Sequence, residues 1–228
     1  MRMPDDLEVV APSPQAVADA RASYQRYGMT ALPKILEAGQ LRAVLKHLHD
    51  EVGHLAKRVS QPHDAQQGVL GAGHRFGRLD PADAEVSAAF TRHGIHDWSE
   101  HLAHLTKPWL QEVTSYQLAY DRPFLLVYRE GDYIGPHGDT YQGHRINLQL
   151  PVVYGAVSCM RVLQDGFLDC KYDRDGHPRI LGPRMWHEVP PLLRSSPDVE
   201  PLRLVLSLRM TGVPTDPSKS YRGQVHES

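Results

Sequence analysis

The residues after Thr114 constrain the fold most, because there the apolar residues gather into short runs instead of recurring at helical spacing. Turn residues such as those from Asp121 to Pro123 and from Asp173 to Gly176 separate most of these runs. Short strands at this spacing are typical of a β-sandwich or a β-barrel. The eight runs cover residues 116–120, 124–128, 146–153, 159–163, 167–172, 179–181, 186–189 and 202–210.

Eight strands fit a double-stranded β-helix, which is the cupin-like jelly roll. The preceding part of the chain has helical periods, so the fold class that we expect is α+β, a jelly roll with N-terminal helices packed on one face. A chain of 228 residues can form such a barrel as a single domain. We expect a mainly helical lead-in over residues 1–113, the jelly-roll core over 114–212 and a tail over 213–228.

Two helices in the lead-in are predicted from apolar residues at three- and four-residue steps. The first begins after Ser13, which can act as an N-cap, and ends at Gly28. The second begins near Ala38. On this second helix His47 and Glu51 could meet one turn apart, although an exposed polar face is the favoured interpretation.

The rest of the lead-in is less regular. Residues 60–80 show no period and are expected to form a loop, in which Arg75, Phe76 and Arg78 could face a substrate or lie on the surface. Helices are predicted over about 82–92 and 96–105, followed by a final helical turn or two over 108–113.

Composition argues against several classes of function. The net charge of −2 and the lack of a Lys or Arg run argue against a nucleic-acid partner. No run of 18 apolar residues is present, so no membrane partner is expected. The acidic N-terminus is unlike a signal peptide, and the two cysteines, Cys159 and Cys170, fit a reduced cytoplasmic protein.

A candidate metal site follows the second apolar run, where His137 and Asp139 are two residues apart. In an extended strand, side chains at this separation point to the same face. Two such ligands and a distant second histidine form the facial triad that holds non-haem Fe(II) and leaves coordination positions open. The candidate for the third ligand is His187, in the seventh run.

The His-x-Asp motif alone is weak evidence, because about one is expected by chance in a chain with 14 His. His137 and Asp139 could be a chance pair on an exposed loop, and His187 could be a buried structural histidine. The flanking strands, together with the turn residues Gly131 and Pro136 before the motif, favour a metal site over these alternatives.

The last run supplies candidates for binding an anionic ligand. Arg203, Ser207 and Arg209 share one face of a strand, and two inward arginines would need anionic partners. An arginine fork suits a carboxylate, because it can donate two parallel hydrogen bonds. Tyr128 ends the strand before the metal motif and could donate its hydroxyl to the same ligand. An exposed edge strand with outward arginines is the alternative.

These motifs resemble those of the Fe(II)/2-oxoglutarate-dependent dioxygenases. The segment from Tyr128 to Asp139 is similar to the family's Tyr-x-x-Gly…His-x-Asp segment, and the residues around His187 resemble its second-histidine segment. Arg203 is placed like the arginine that grips the far carboxylate of 2-oxoglutarate. Its spacing from Arg209 resembles the last strand of the alkylation-repair dioxygenases. The resemblance implies Fe(II) and 2-oxoglutarate as cofactors and O₂ as co-substrate.

The sequence departs from the family pattern between His187 and Arg203, where the gap is longer than usual. Residues 195–201 look like an inserted turn. This departure leaves open whether Arg203 or Arg209 binds the far carboxylate, and Arg194, beside the insertion, ranks last.

By resemblance, the expected activity is oxidation of a small molecule, such as an amino acid or a natural-product intermediate. Conversion of 2-oxoglutarate to succinate and CO₂ would accompany it. The motifs do not distinguish hydroxylation from desaturation or cyclisation, and they do not name the substrate, the stereochemistry or the oligomeric state. Two alternatives stay open: alkylation-repair demethylation of nucleic acid, and a cupin-like module that binds a metal without turnover.

Overall fold

The computed structural model describes residues 2–3, 8–61, 73–138, 145–164, 167–183 and 185–216. The helices in these ranges are α1 (Pro14–Tyr27), α2 (Ala38–Val52), α3 (Ala84–Arg92) and α4 (Ile95–Thr114), with a 3₁₀ turn at Gly53–Leu55. The strands are β1 (Met29–Ala31), β2 (Lys57–Gln61), β3 (His74–Leu79), β4 (Tyr116–Arg129), β5 (Tyr133–Gly138), β6 (Arg145–Tyr154), β7 (Ala156–Val157), β8 (Cys159–Gln164), β9 (Phe167–Tyr172), β10 (Arg179–Leu181), β11 (Trp186–Val189), β12 (Leu193–Arg194) and β13 (Leu202–Pro214).

Eleven strands form one antiparallel sheet that curls into a nearly closed barrel. The strand order is β1-β10-β6-β13-β4-β3-β5-β11-β8-β9, and β2 pairs with β3 at the side. The short strands β7 and β12 form a separate two-stranded ribbon. The predicted α+β jelly roll is confirmed. The predicted lead-in also contributes β1, β2 and β3 to the sheet.

Strand β13 lies at the centre of the sheet, between β4 and β6. Its leucines Leu204, Leu206 and Leu208 are fully buried and belong to the hydrophobic core, which also includes apolar residues of the helices. Arg203 and Arg209, at alternating positions, are buried as well. The edge-strand alternative with outward arginines is therefore wrong, because a strand with a partner on each side has no exposed edge.

The first helix has the ends that the sequence predicts. The Ser13 hydroxyl accepts a hydrogen bond from the Ala16 amide at 3.2 Å, and Gly28 ends α1 with a positive φ of 73°. Val17 and Tyr24 are buried on one side of the helix. Because the cap, the stop and the buried stripe are all local signals, the sequence alone predicts this helix.

The predicted division into separate segments over 96–105 and 108–113 is wrong, because α4 continues through Pro108 to Thr114. Trp98 and Leu102 before the proline and Trp109 and Val113 after it are all buried. Both halves of the helix therefore bury apolar side chains against the rest of the molecule. This burial outweighs the one backbone hydrogen bond that a proline cannot donate.

The predicted turn at residues 121–123 is also wrong, because β4 runs through it as a 14-residue strand. Strand β13 pairs with β4 over this length, with a register shift between Arg209 and Met210. On the other side, β3 pairs only with Leu125 to Val127. Pro123 thus lies where the strand has one partner, and there a missing amide donor is tolerated.

The prediction of a loop over residues 60–80 is wrong at both ends. Strand β2 ends at Gln61 and β3 begins at His74, while residues 62–72 lie outside the described ranges. Strand β3 pairs with both β4 and β5 and so joins two parts of the barrel. These distant partners stabilise a strand whose own sequence shows little apolar alternation.

The remaining features concern turns, thiols and membrane spans. Asp175 and Gly176 form the predicted turn, with Gly176 at a φ of 77°. Cys159 is buried, Cys170 is exposed, and both are free thiols. None of the helices in the described part of the chain is long and apolar enough to span a membrane.

Candidate functional site

Two histidines that the sequence separates by 50 positions lie side by side on adjacent strands of the barrel. His137 of β5 and His187 of β11 are directly paired in antiparallel register, and their ring centroids are 4.3 Å apart. His187 is buried and His137 is partly buried. The structure therefore brings together two of the three residues of the predicted metal triad.

Both histidines are oriented in the same way by their own strands. The Nδ1 atom of His137 lies 2.9 Å from the Gly135 carbonyl oxygen, and that of His187 lies 3.0 Å from the Met185 carbonyl oxygen. A carbonyl oxygen only accepts hydrogen bonds, so Nδ1 carries the proton and Nε2 of the neutral ring carries the lone pair. Metal-binding histidines are typically oriented by a backbone carbonyl in this way.

The third predicted ligand, Asp139, lies outside the described residues, so its place in the triad stays a prediction. The structure adds a neighbour that the sequence did not single out. The ring of His74 on β3 lies 4.9 Å from that of His137, measured between centroids. The alternation of His74 with Phe76 is typical of a strand and could have indicated this neighbour, but the segment was interpreted as a loop.

A row of rings extends from the histidines across β3 to β4. The Phe76 ring lies 6.4 Å from His74 and stacks on Tyr128 at 5.7 Å, both between centroids. Tyr128 is fully buried, and burial raises the pKa of its hydroxyl, which therefore keeps its proton. Among the three loop residues considered as substrate contacts, Phe76 reaches this row. Arg75 pairs instead with Asp132 at 3.3 Å and Arg78 with Asp80 at 2.5 Å.

The row ends at a buried group of charges around Arg203. The Arg203 guanidinium carbon lies 4.5 Å from the centre of the Tyr128 ring. Its Nε donates to Asp173 at 2.7 Å. Arg179 of β10 forms an ion pair with the same carboxylate. The side chains of Arg203 and Asp173 are 1% exposed and that of Arg179 is 4% exposed.

Two guanidinium groups and one carboxylate leave this buried group with a net positive charge. Nη1 of Arg203 and Nη1 of Arg179 have no hydrogen-bond partner among the described residues, and the same holds for Ser207 Oγ and Gln149 Oε1. Burial lowers the pKa of Arg203, because removing the guanidinium from water disfavours its charged form. A buried site with surplus positive charge and unpaired donors can accept an anion such as a carboxylate.

The second predicted arginine, Arg209, lies in a different environment. It is six residues from Arg203 on β13, a separation of about 20 Å in an extended strand. Its guanidinium carbon lies 5.0 Å from the centre of the Phe124 ring. Burial and then the positive charges of Arg78, Arg145 and Arg122 lower its pKa. Arg209 therefore belongs to a separate cationic cluster near the middle of the same strand.

Arg194, the third arginine considered, is exposed and binds Glu130 and the Pro197 carbonyl. Two members of the buried charged group were missed by sequence reasoning. Asp173 was interpreted only as a turn residue. Arg179 lies in a three-residue strand that is too short to show a period.

Comparison with known proteins gives a match in structure only. No protein-family description matches the sequence, and no curated protein matches it. A 2OG-Fe(II) oxygenase family oxidoreductase from Burkholderia pseudomallei superposes with a TM-score of 0.57 over 90% of this chain and 97% of that one, at 14% identity. This is the fold of the 2OG-Fe(II) oxygenases.

Two further solved structures with this 2OG-Fe(II) oxygenase fold are similar to the chain. The non-haem alpha-ketoglutarate-dependent epimerase SnoN from nogalamycin biosynthesis has a TM-score of 0.58 at 14% identity and covers 91% of this chain and 87% of its own. HygX from Streptomyces hygroscopicus, solved with nickel and 2-oxoglutarate bound, has a TM-score of 0.53 at 13% identity, with 88% and 87% covered. The resemblance predicted from the motifs is thus confirmed in the fold.

Proposed function

We propose that this chain is a non-haem Fe(II)/2-oxoglutarate-dependent oxygenase that acts on a small molecule. The proposal depends on one observation: His137 and His187 are directly paired on adjacent strands, and the Nδ1 atom of each is hydrogen-bonded to a backbone carbonyl. Two histidines held in this way supply two nitrogen ligands on one side of an ion. The shared fold supports the same interpretation.

We assign Fe(II) to His137, Asp139 and His187, because two imidazoles and one carboxylate suit this ion and leave coordination positions open. The bound iron would supply the redox chemistry with O₂ that couples 2-oxoglutarate decarboxylation to substrate oxidation. The protein itself orients the two imidazoles through the Gly135 and Met185 carbonyls. HygX, a protein of the same fold, was solved with a metal and 2-oxoglutarate bound.

We assign the far carboxylate of 2-oxoglutarate to Arg203 rather than Arg209. Arg203 is the arginine that the row of rings connects to the histidines, and its Nη1 lacks a partner among the described residues. Tyr128 and Ser207 can donate their hydroxyls to the same carboxylate. Asp173 positions Arg203 through its 2.7 Å contact with Nε.

Several features favour a small-molecule substrate. The chain has a net charge of −2, whereas protein surfaces that bind nucleic acid are strongly basic. SnoN, of similar fold, is an epimerase from nogalamycin biosynthesis. Hydroxylation, desaturation and cyclisation of an amino acid or natural-product intermediate are all compatible with this site. We further propose that residues 1–228 act as one dioxygenase domain in the cytoplasm.

The proposal is tested by succinate formation from 2-oxoglutarate with Fe(II), O₂ and a panel of amino acids and natural-product intermediates. His137→Ala, Asp139→Ala and His187→Ala should each abolish substrate-dependent succinate, because the metal loses a ligand. His54→Ala is the matched control, since His54 is exposed and lies outside the site. Unchanged turnover in any of the three site variants would remove that residue from the metal site.

Binding can be tested separately from turnover. Anaerobic titration of the full chain with Fe(II) and 2-oxoglutarate should produce a weak visible absorption band, and Arg203→Ala should weaken it. A band with no succinate for any substrate would favour the cupin-like binding module. No band in the wild-type chain would contradict the proposed cofactor site.

A further inference from the structure

A second set of metal-ligating side chains lies among the helices, away from the paired histidines. His47 and Glu51 are one turn apart on α2, and His93 follows the last residue of α3. Within the described ranges, this is the one group of three or more His, Cys, Asp and Glu side chains whose ligand atoms all lie within 4.8 Å of one another. The three residues come from two elements of the lead-in, α2 and the end of α3.

Each member is held in place by the surrounding structure. Glu51 Oε2 lies 2.7 Å from His93 Nε2, and the rings of His47 and His93 meet edge to face with centroids 5.3 Å apart. Arg92 donates to the other oxygen, Oε1, of Glu51. The side chain of His93 is 5% exposed, while His47 is open to solvent. The group is therefore buried at His93 and open to solvent at His47, where an ion can enter.

We propose that His47, Glu51 and His93 form a second binding site for a divalent transition-metal ion of the Zn²⁺ class, independent of the proposed oxygenase centre. Two imidazoles and one carboxylate are a common zinc ligand set, with water in the fourth position. Ligands one helical turn apart can chelate one ion, because residues at i and i+4 share a helix face. The third ligand, His93, lies just beyond the end of a different helix, α3.

The ion would take the place of the proton shared by Glu51 and His93. Ligands of a tetrahedral zinc ion lie about 3.3 Å apart, so the present 2.7 Å contact has to open by about 0.6 Å. Rotation of the exposed Glu51 side chain can supply this movement. Arg92 would then bind the carboxylate oxygen that faces away from the ion, as partners of metal ligands commonly do.

Such a site would fasten α2 to the end of α3. The backbone of His93 also contacts the N-terminal segment, because the Met3 amide donates a hydrogen bond to the His93 carbonyl oxygen at 2.9 Å. Met3 is itself buried. An ion bound here would therefore stabilise the helical layer and would have no direct part in substrate oxidation.

The test is the Zn²⁺ stoichiometry of the metal-depleted full chain, measured by calorimetric titration at neutral pH. His47→Ala should remove one equivalent of bound Zn²⁺, whereas His54→Ala, at another exposed histidine nearby, should remove none. His47 is exposed, so its variant should fold like the wild type. Equal stoichiometry in the two variants overturns the proposal.

The oxygenase centre can be separated from this site with the variant His137→Ala/His187→Ala. This variant should still bind one equivalent of Zn²⁺, and adding His47→Ala should abolish that binding. If the double variant binds none, the second site does not exist. Saturating Zn²⁺ should also raise Tm by several degrees more in His54→Ala than in His47→Ala. Equal shifts would count against the site. None of these measurements requires turnover.

Discussion

Arg203 shares its carboxylate partner with a second buried arginine. Its Nε binds Asp173 at 2.7 Å, and Arg179 pairs with the same carboxylate. Removing one member of a buried ion pair typically costs about 3–5 kcal/mol, because the remaining charge loses its compensation. Alanine variants in this group therefore report on folding as well as binding, and substitutions that preserve charge are more informative.

Arg203→Lys is predicted to weaken 2-oxoglutarate binding. Lysine retains the charge but cannot present two parallel donors to a carboxylate. We expect the KM for 2-oxoglutarate to rise at least about tenfold, or about 1.4 kcal/mol, with a smaller change in kcat. Arg194→Lys, at an exposed arginine, is the control. An unchanged KM in Arg203→Lys together with a raised KM in Arg209→Lys would exchange the roles of the two arginines.

Ser207→Ala separates ligand binding from stability. Ser207 is fully buried and its Oγ has no hydrogen-bond partner among the described residues. Removing an unpaired buried hydroxyl should leave the free energy of unfolding unchanged or slightly raise it. If a carboxylate accepts this hydroxyl, its loss should weaken 2-oxoglutarate binding by about 0.5–1.5 kcal/mol. Urea unfolding and anaerobic titration measure the two effects, and unaltered affinity would place the cofactor elsewhere.

At the scale of elements, α1 packs closely against the end of β10. The Gly182 amide donates to the Gly28 carbonyl at 2.8 Å. A Cβ added at Gly182 would lie 2.5 Å from the Tyr24 hydroxyl and 2.9 Å from the Gly28 carbonyl oxygen. Backbone therefore approaches backbone here at a distance that only glycine permits.

Gly182→Ala is predicted to destabilise the protein by about 1–3 kcal/mol, because α1 has to move away from the strand. Gly39→Ala is the matched control. A Cβ at Gly39 in α2 would have nothing within 4 Å, so alanine should stabilise the helix by up to about 1 kcal/mol. Urea unfolding of both variants measures the difference. A neutral Gly182→Ala would show that α1 can shift freely.

At the scale of the whole molecule, the proposed metal and cofactor contacts lie on different parts of the barrel. Arg179 and Arg203 lie on β10 and β13, whereas His137 and His187 lie on β5 and β11. Strand β3 lies between β4 and β5 in the strand order. A ligand that reaches both the arginines and the histidines must therefore extend across several strands of the sheet.

The net charge supplies a prediction about partners. A chain of charge −2 should not bind single-stranded oligonucleotides with an affinity that depends steeply on salt. Fluorescence anisotropy with labelled DNA and RNA at 50 and 200 mM salt would measure this. Micromolar or tighter binding at 50 mM salt that falls at least tenfold at 200 mM would favour the alkylation-repair alternative.

The sequence predicted the arginine face from residue types at fixed spacing within one strand. It paired His137 with His187 because a facial triad needs a second, distant histidine. It could not predict the buried Arg179 and Asp173. The first lies in a three-residue strand, and the second follows a hairpin strand where aspartate is an ordinary turn residue. Asp173 forms an ion pair with Arg203, which lies 30 positions further along the chain, and the pattern of neighbouring residues cannot indicate a contact at that separation.

The sequence by itself determined α1, α2 and the alternation of short strands, since caps, stops and apolar periods are properties of neighbouring residues. Only the tertiary structure decided that α4 continues through Pro108, that β4 runs through Pro123 and that β3 is a strand. In each of these segments the local sequence favours the observed helix or strand only weakly, or disfavours it. Burial and hydrogen bonds from distant parts of the chain supply more free energy than the local preference does.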